Sequence, residues 1–258
     1  MRESFFEPLG AGSYRATDAT AGPWSADAEH GGPPSALAVR ELERHEPAEH
    51  TRLARVAVDI LRPIPLGVLT TRTRLLRPGK RVALLETVLA KDGRDVLVAR
   101  GWRIATSASA PVVGTVDPLP EIPPEAPAPR FPGGHQEGYL SEIDWRFVSG
   151  NFTEPGPCRV WVRPRIPLLP GEELSPMCRT VLVADSGSGV SMTVDPLKYT
   201  FMNVDLTVIV HRDPVGEFVL LDAVTSMGGT GTGLAETRLA DTSGVVGSCL
   251  QTLLVARR

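Results

Sequence analysis

Asp185 stands where an apolar side chain would be expected. Cys178, Val181, Leu182 and Asp185 recur at the i, i+3, i+4 and i+7 positions of one helical face, so the face that turns toward a core ends in a carboxylate. Ser175 is a strong N-cap, Pro176 suits the first helical position, and Gly187 and Gly189 stop the helix after Asp185. Removing a carboxylate from water is costly unless it is paired or hydrogen-bonded. One held that way beside a substrate is a candidate general base. Gln251 shares a strand face with Cys249, Leu253 and Val255, and a buried amide needs partners, which a carboxylate and a water would supply. Asn203 begins another strand and by strict alternation shares a face with Asp205, Thr207 and Ile209. The plainer readings are a polar helix end for Asp185 and a turn residue for Asn203. His30 and His211, next to glycine and arginine, read as structural or exposed. Asp205 ranks behind Asp185 as a second carboxylate.

These residues need elements to position them. His30-Gly-Gly-Pro-Pro-Ser-Ala-Leu opens a helix built on Ala38, Val39 and Leu42, and its start exposes backbone N–H groups near Gly31 and Gly32 that can polarise a carbonyl. Alternation then marks strands over Arg55–Leu61, Val68–Leu76, Arg81–Ala90 and Asp95–Ile104, which reads as an antiparallel meander with turns at Pro63–Gly67, Arg77–Lys80 and Lys91–Arg94. One or two strands precede the helix. Between Pro111 and Pro132 stand eight prolines, a composition that favours an extended linker over a packed element. Strands over Ser141–Val148 and Arg159–Arg163 follow, and after the Ser175–Asp185 helix the first pattern returns. Shifted by 150 positions, Arg62 meets Arg212, Leu84 meets Leu234, Glu86-Thr87 meets Glu236-Thr237 and Leu89-Ala90 meets Leu239-Ala240. This points to an internal duplication of a helix-plus-sheet unit, with the two sheets joined edge to edge around both helices. The expected division is 1–106, a linker at 107–138, and 139–258.

Composition narrows the function. With 258 residues, 42% of them hydrophobic, the chain can bury a large core, and a net charge of -3 gives no general attraction to nucleic acid. No apolar run suggests a signal peptide or membrane span, so a cytoplasmic location is expected. Cys158, Cys178 and Cys249 are odd in number and lack Cys-x-x-Cys spacing, which argues against a disulfide framework or a zinc site, and no metal or cofactor is expected.

The segments His30–Leu37 with Val58-Asp-Ile-Leu-Arg-Pro63, Ala184-Asp-Ser-Gly-Ser-Gly189, and Asn203–Pro214 with Cys249-Leu-Gln-Thr252 together resemble the acyl-CoA thioesterase II type of the hotdog superfamily. The resemblance spans nearly the whole chain and implies an α+β double hotdog, an acyl-CoA substrate, a role in fatty acid metabolism and a homo-oligomer. It also implies that Asp185, Asn203 and Gln251 hold the hydrolytic water, with Asn203 standing where a hydroxyl residue is best known, and that Gly31 and Gly32 or their second-repeat counterparts supply the oxyanion donors. The alternatives are a non-catalytic acyl-CoA-binding protein and an enoyl-CoA hydratase. The hydratase is disfavoured because Asp27-Ala-Glu-His30 lacks the required spacing and Asn-Pro dipeptide.

Overall fold

The computed structural model describes residues 2–107 and 118–258. Residues 108–117 of the expected linker, Pro111 among them, lie outside the described residues. The first half contains β1 (Phe6–Gly10), β2 (Ser13–Ala16), a small hairpin of β3 (Ala21–Gly22) and β4 (Ser25–Glu29), then α1 (Gly32–Arg44), β5 (Thr51–Ile60), β6 (Val68–Arg77), β7 (Val82–Lys91) and β8 (Arg94–Ala105). The second contains β9 (Ile143–Asn151), β10 (Glu154–Pro164), α2 (Pro176–Ala184), the single turn α3 (Gly187–Val190), β11 (Tyr199–Asn203), β12 (Asp205–Val210), β13 (Val219–Met227), β14 (Thr232–Asp241) and β15 (Gly244–Arg257). This is an α+β architecture, with two helix-plus-antiparallel-sheet units in one chain.

Apart from β3 and β4, the strands form one 13-stranded antiparallel sheet in the order β1-β2-β6-β7-β8-β5-β12-β15-β14-β13-β10-β9, with β11 also paired to β15. The halves meet where β5 pairs with β12, Val58 opposite Leu206 and Val56 opposite Val208. The expected meander holds for β6, β7 and β8 but not for β5, which pairs with β8 at the far edge. The Pro63–Gly67 stretch is therefore a crossover, not a hairpin turn. Two prolines there withhold N–H donors from any ladder, and sending β5 to the other edge of β8 lets it pair with β12. The same happens in the second half, where β12 pairs with β15 and the stretch after Val210 crosses to β13.

The two longer helices pack on the sheet, α1 against β5 to β8 and α2 against β10 and β13. Ala36, Leu37, Ala38, Val39 and Leu42 of α1 are fully buried, as are Val181 to Ala184 of α2. The helices pack antiparallel: Ser175 at the start of α2 donates to Glu43 near the end of α1 at 2.7 Å, and Gly32 at the start of α1 sits against the carbonyl of Leu182 near the end of α2. A Cβ at Gly32 would collide with that carbonyl, which explains the glycine. The last turn of α2 is thus placed beside the first turn of α1.

Candidate active site

Asp185 follows α2 as its C-cap and is only 4% exposed. A carboxylate there opposes the negative end of its own helix. The neighbouring N-terminus of α1 offsets this, and Gly31 approaches so closely that a Cβ would lie 2.8 Å from Asp185 Oδ2. Asn203 Nδ2 donates to Asp185 Oδ1 at 2.8 Å and to the carbonyl of Asp205 at 3.2 Å. Gln251, 1% exposed, donates from Nε2 to the main-chain oxygen of Asp185 at 3.0 Å and more weakly to Oδ1 at 3.5 Å. Its Oε1 accepts the N–H of Ser188 at 3.0 Å, so the amide is held at both ends.

Asn203 reaches Asp185 because the strand is irregular. Asn203 pairs with Leu253 in the β11 register, whereas Thr207 pairs with Leu250 in that of β12, a shift of one residue. Asp205 Oδ1 caps the irregularity by accepting the N–H of Thr252 at 2.6 Å. A bulge reverses which side chains point inward. Asn203 therefore shares its face with buried Leu206 and Val208, and not with Asp205, Thr207 and Ile209 as unbroken alternation requires. The bulge brings the amide inside and corrects that expectation.

Two residues join the site that the sequence reading set aside or missed. His30 Nδ1 lies 3.0 Å from Asp185 Oδ2 and accepts the Gly32 N–H at 3.1 Å. Unprotonated, that nitrogen binds Gly32; protonated, it donates to Asp185. Tyr139 stacks on the imidazole, centroids 3.7 Å apart and planes 7° from parallel, and its hydroxyl contacts the Leu182 carbonyl at 3.0 Å and Ser186 Oγ at 2.8 Å. Burial pushes its phenol well above the ordinary range. The glycines next to His30 were the available signal for the histidine. Tyr139 had none, since it comes from a short turn before β9. His211 is exposed on the strand-end loop, and Asp205 is occupied with the backbone.

A cavity of about 450 Å³ opens at Asp185, Asn203, His30 and Gly31, and its remaining wall is largely aromatic and aliphatic, including Trp24, Ile64 and Phe201. The backbone N–H of Gly31 has no partner among the described residues, while Pro33 and Pro34 have no N–H and that of Gly32 is engaged by His30. Glu29 also lines the cavity, and its two carboxylate oxygens are buried with no hydrogen-bond partner. All three cysteines are free and buried. Burial pushes the Cys158 thiol up to about 12, and those of Cys178 and Cys249 well up, so all three are inert packing groups.

The family of acyl-CoA thioesterase N-terminal domains matches residues 20–104, and that of acyl-CoA thioesterase C-terminal domains matches residues 120–255. The chain belongs to the acyl-CoA thioesterase family. Similar solved structures include a thioesterase II, so assigned provisionally, from Thermobifida fusca YX (21% identity, 98% of this chain and 95% of that one, TM-score 0.73). Others are acyl-CoA thioesterase II TesB2 from Mycobacterium marinum (17%, 98% and 95%, 0.67) and a hot dog fold protein of unknown function from Alicyclobacillus acidocaldarius (13%, 96% and 95%, 0.75). These likenesses show the shared double-hotdog fold. No curated protein matches the chain. Among the described residues of this thioesterase-family chain, no helix is long and apolar enough to cross a membrane.

Proposed function

We propose that the protein hydrolyses acyl-CoA to the free acid and CoA, with Asp185 as the general base. The observation that carries this reading is the buried Asp185 carboxylate at an apolar cavity, met by the amides of Asn203 and Gln251 and by the His30 ring. Asn203 spends both Nδ2 hydrogens on Asp185 and Asp205, which leaves its Oδ1 to accept from a water. Asp185 takes a proton from that water as its oxygen bonds to the thioester carbon, and the Gly31 N–H stabilises the oxyanion. The C–S bond then breaks, and the proton held on Asp185 passes to the leaving thiolate. Gln251 sets the position of Asp185 through its backbone and Oδ1. Gly32 contributes by close packing and by orienting His30 rather than by lining the cavity.

We also assign 1–106 and 139–258 as the two repeats, with 107–138 between them. Exposed Ile209, Leu250 and Leu254 on β12 and β15 support association of copies, and three unpaired cysteines suit the reducing cytoplasm. Light scattering tests the first point. The chemical reading is tested by following thiol release from acyl-CoAs. Wild type releases thiol, and Asp185→Asn is slower by about 10²–10⁴-fold. Equal rates in the two proteins exclude Asp185 as base, and binding without release by wild type favours the non-catalytic alternative.

A further inference from the structure

We propose that Phe131, supplied by the segment joining the two repeats, is the end wall of the acyl channel and sets the longest acyl chain the site accepts. The inference rests on the thioesterase reading above. The cavity at Asp185 is lined by residues of different character. Leu61, Arg62 and Val204 form an exposed rim, where the polar CoA portion can remain in water. The cavity wall also holds Phe131 and Phe201, both buried, with Trp24, which is 37% exposed, set edge-on to each at centroid distances of 5.4 and 4.9 Å. An acyl chain running inward from a thioester carbon at Asp185 meets those rings.

A second cavity lies beyond the wall. Phe131 packs against Phe152 at 5.8 Å, and Phe152, with Leu140, Ile143 and Trp145, lines the apolar side of a space of about 500 Å³ whose other side carries Glu125, Arg130, Glu137 and Arg165. Two aromatic rings therefore separate the channel from further room with an apolar side. The outer ring is held in place. Gln136 Oε1 accepts the Phe131 N–H at 3.0 Å, and its Nε2 donates to the carbonyls of Phe131 and Gly134, both at 2.7 Å. The His135 N–H donates to the Pro23 carbonyl at 2.9 Å, which ties this turn to the β3–β4 hairpin. Gly134 is required there, because a Cβ would lie 2.7 Å from the Phe131 ring and 2.9 Å from the Pro23 carbonyl oxygen. A wall fixed at both backbone groups does not shift readily for an extra methylene, so the length limit is sharp.

The test is kcat/KM over saturated acyl-CoAs of increasing length for full-length wild type, Phe131→Ala, Phe131→Leu and Phe131→Trp, together with calorimetric binding of the corresponding free fatty acids. Wild type should lose about 10-fold or more per methylene past its limit. Phe131→Ala and Phe131→Leu should move the limit to longer chains and raise the long-to-short ratio about 10-fold or more, while Phe131→Trp moves it to shorter ones. The leucine variant, which keeps the wall apolar, decides the matter if the alanine variant does not fold. Four profiles with the same limit overturn the proposal. If wild type releases no thiol at any length, the hydrolytic reading fails separately, and the wall is judged by fatty-acid binding: a limit that shifts in the same order upholds it, and an unshifted one overturns it.

Discussion

The two halves of the molecule treat the same crossing of helix and strand in opposite ways. With Pro33 of α1 aligned to Pro176 of α2, Leu42 takes the place of Asp185, and the 150-residue spacing of the sheets puts Gly101 in the place of Gln251. In the first half a Cβ at Gly101 would lie 2.8 Å from Leu53 Cδ2 and 3.1 Å from Leu42 Cδ1, so hydrocarbon fills the crossing. In the second half the Gln251 amide holds the backbone and carboxylate of Asp185. Of these two crossings among the described residues, the second is polar and the first is not. The first half contributes to the polar one only from the segment entering α1, through His30 and Gly31. Hydrophobic packing tolerates loss of the polar partners, whereas a buried carboxylate does not, so the two crossings should respond differently to mutation.

The largest contrast is in turnover. Asp185→Asn should cut kcat by about 10²–10⁴-fold while the protein still melts cooperatively. Leu42→Ala, its counterpart, should leave kcat of the folded protein close to wild type but cost about 2–5 kcal/mol in stability, measured by urea unfolding. Similar kcat losses in both variants would show that the first crossing is chemically engaged after all. Gln251→Leu sharpens the comparison by making the second crossing resemble the first. It leaves the Ser188 N–H and the Asp185 carbonyl without this partner, so a stability loss of about 1–3 kcal/mol is expected along with reduced kcat. A Gln251→Leu protein as stable and active as wild type would mean that the amide merely fills space.

Much of this arrangement is legible in the chain before any coordinates. Ser175 does cap α2, its Oγ accepting the Cys178 N–H at 3.1 Å, and the 150-residue repeat marks β7 with β14. Local chemistry sets those features, a cap and a strand period, whereas Gly187 and Gly189 do not stop the helix as expected but belong to the single turn α3. The bulge after Asn203 is different, because the register shift is decided by β15 and by the Asp205 carboxylate, neither of which alters the local alternation. The approach of His30 to Asp185 is also invisible, since it depends on two helices 140 residues apart packing antiparallel. The crossover after β5 reads as a turn in the sequence because a short proline-rich connection has the same composition in either role.

The smallest expected effect concerns the one carboxylate that the first half does bring to the cavity. Glu29 lacks what Asp185 has: both its oxygens are buried and none of the described residues donates to them. Burial pushes its carboxyl well above the ordinary value of 4.5, with Lys91 opposing weakly, so the fold favours the protonated form. An acid whose pKa is raised on folding contributes stability that is fully present below the unfolded value and is lost as pH rises through the folded one. Glu29→Gln removes that titration and keeps the side chain nearly the same size. Unfolding free energies of the two proteins at pH 5 and pH 8 should therefore diverge, with the glutamine variant gaining on wild type at the higher pH. Carboxylates whose pKa is lowered, such as Asp144 and Asp241, give slopes of the opposite sign, but they are common to both proteins and cancel in the difference. A difference independent of pH would mean that Glu29 finds a donor in solution, and the contrast between the donor-rich and donor-poor carboxylates of the cavity would be lost.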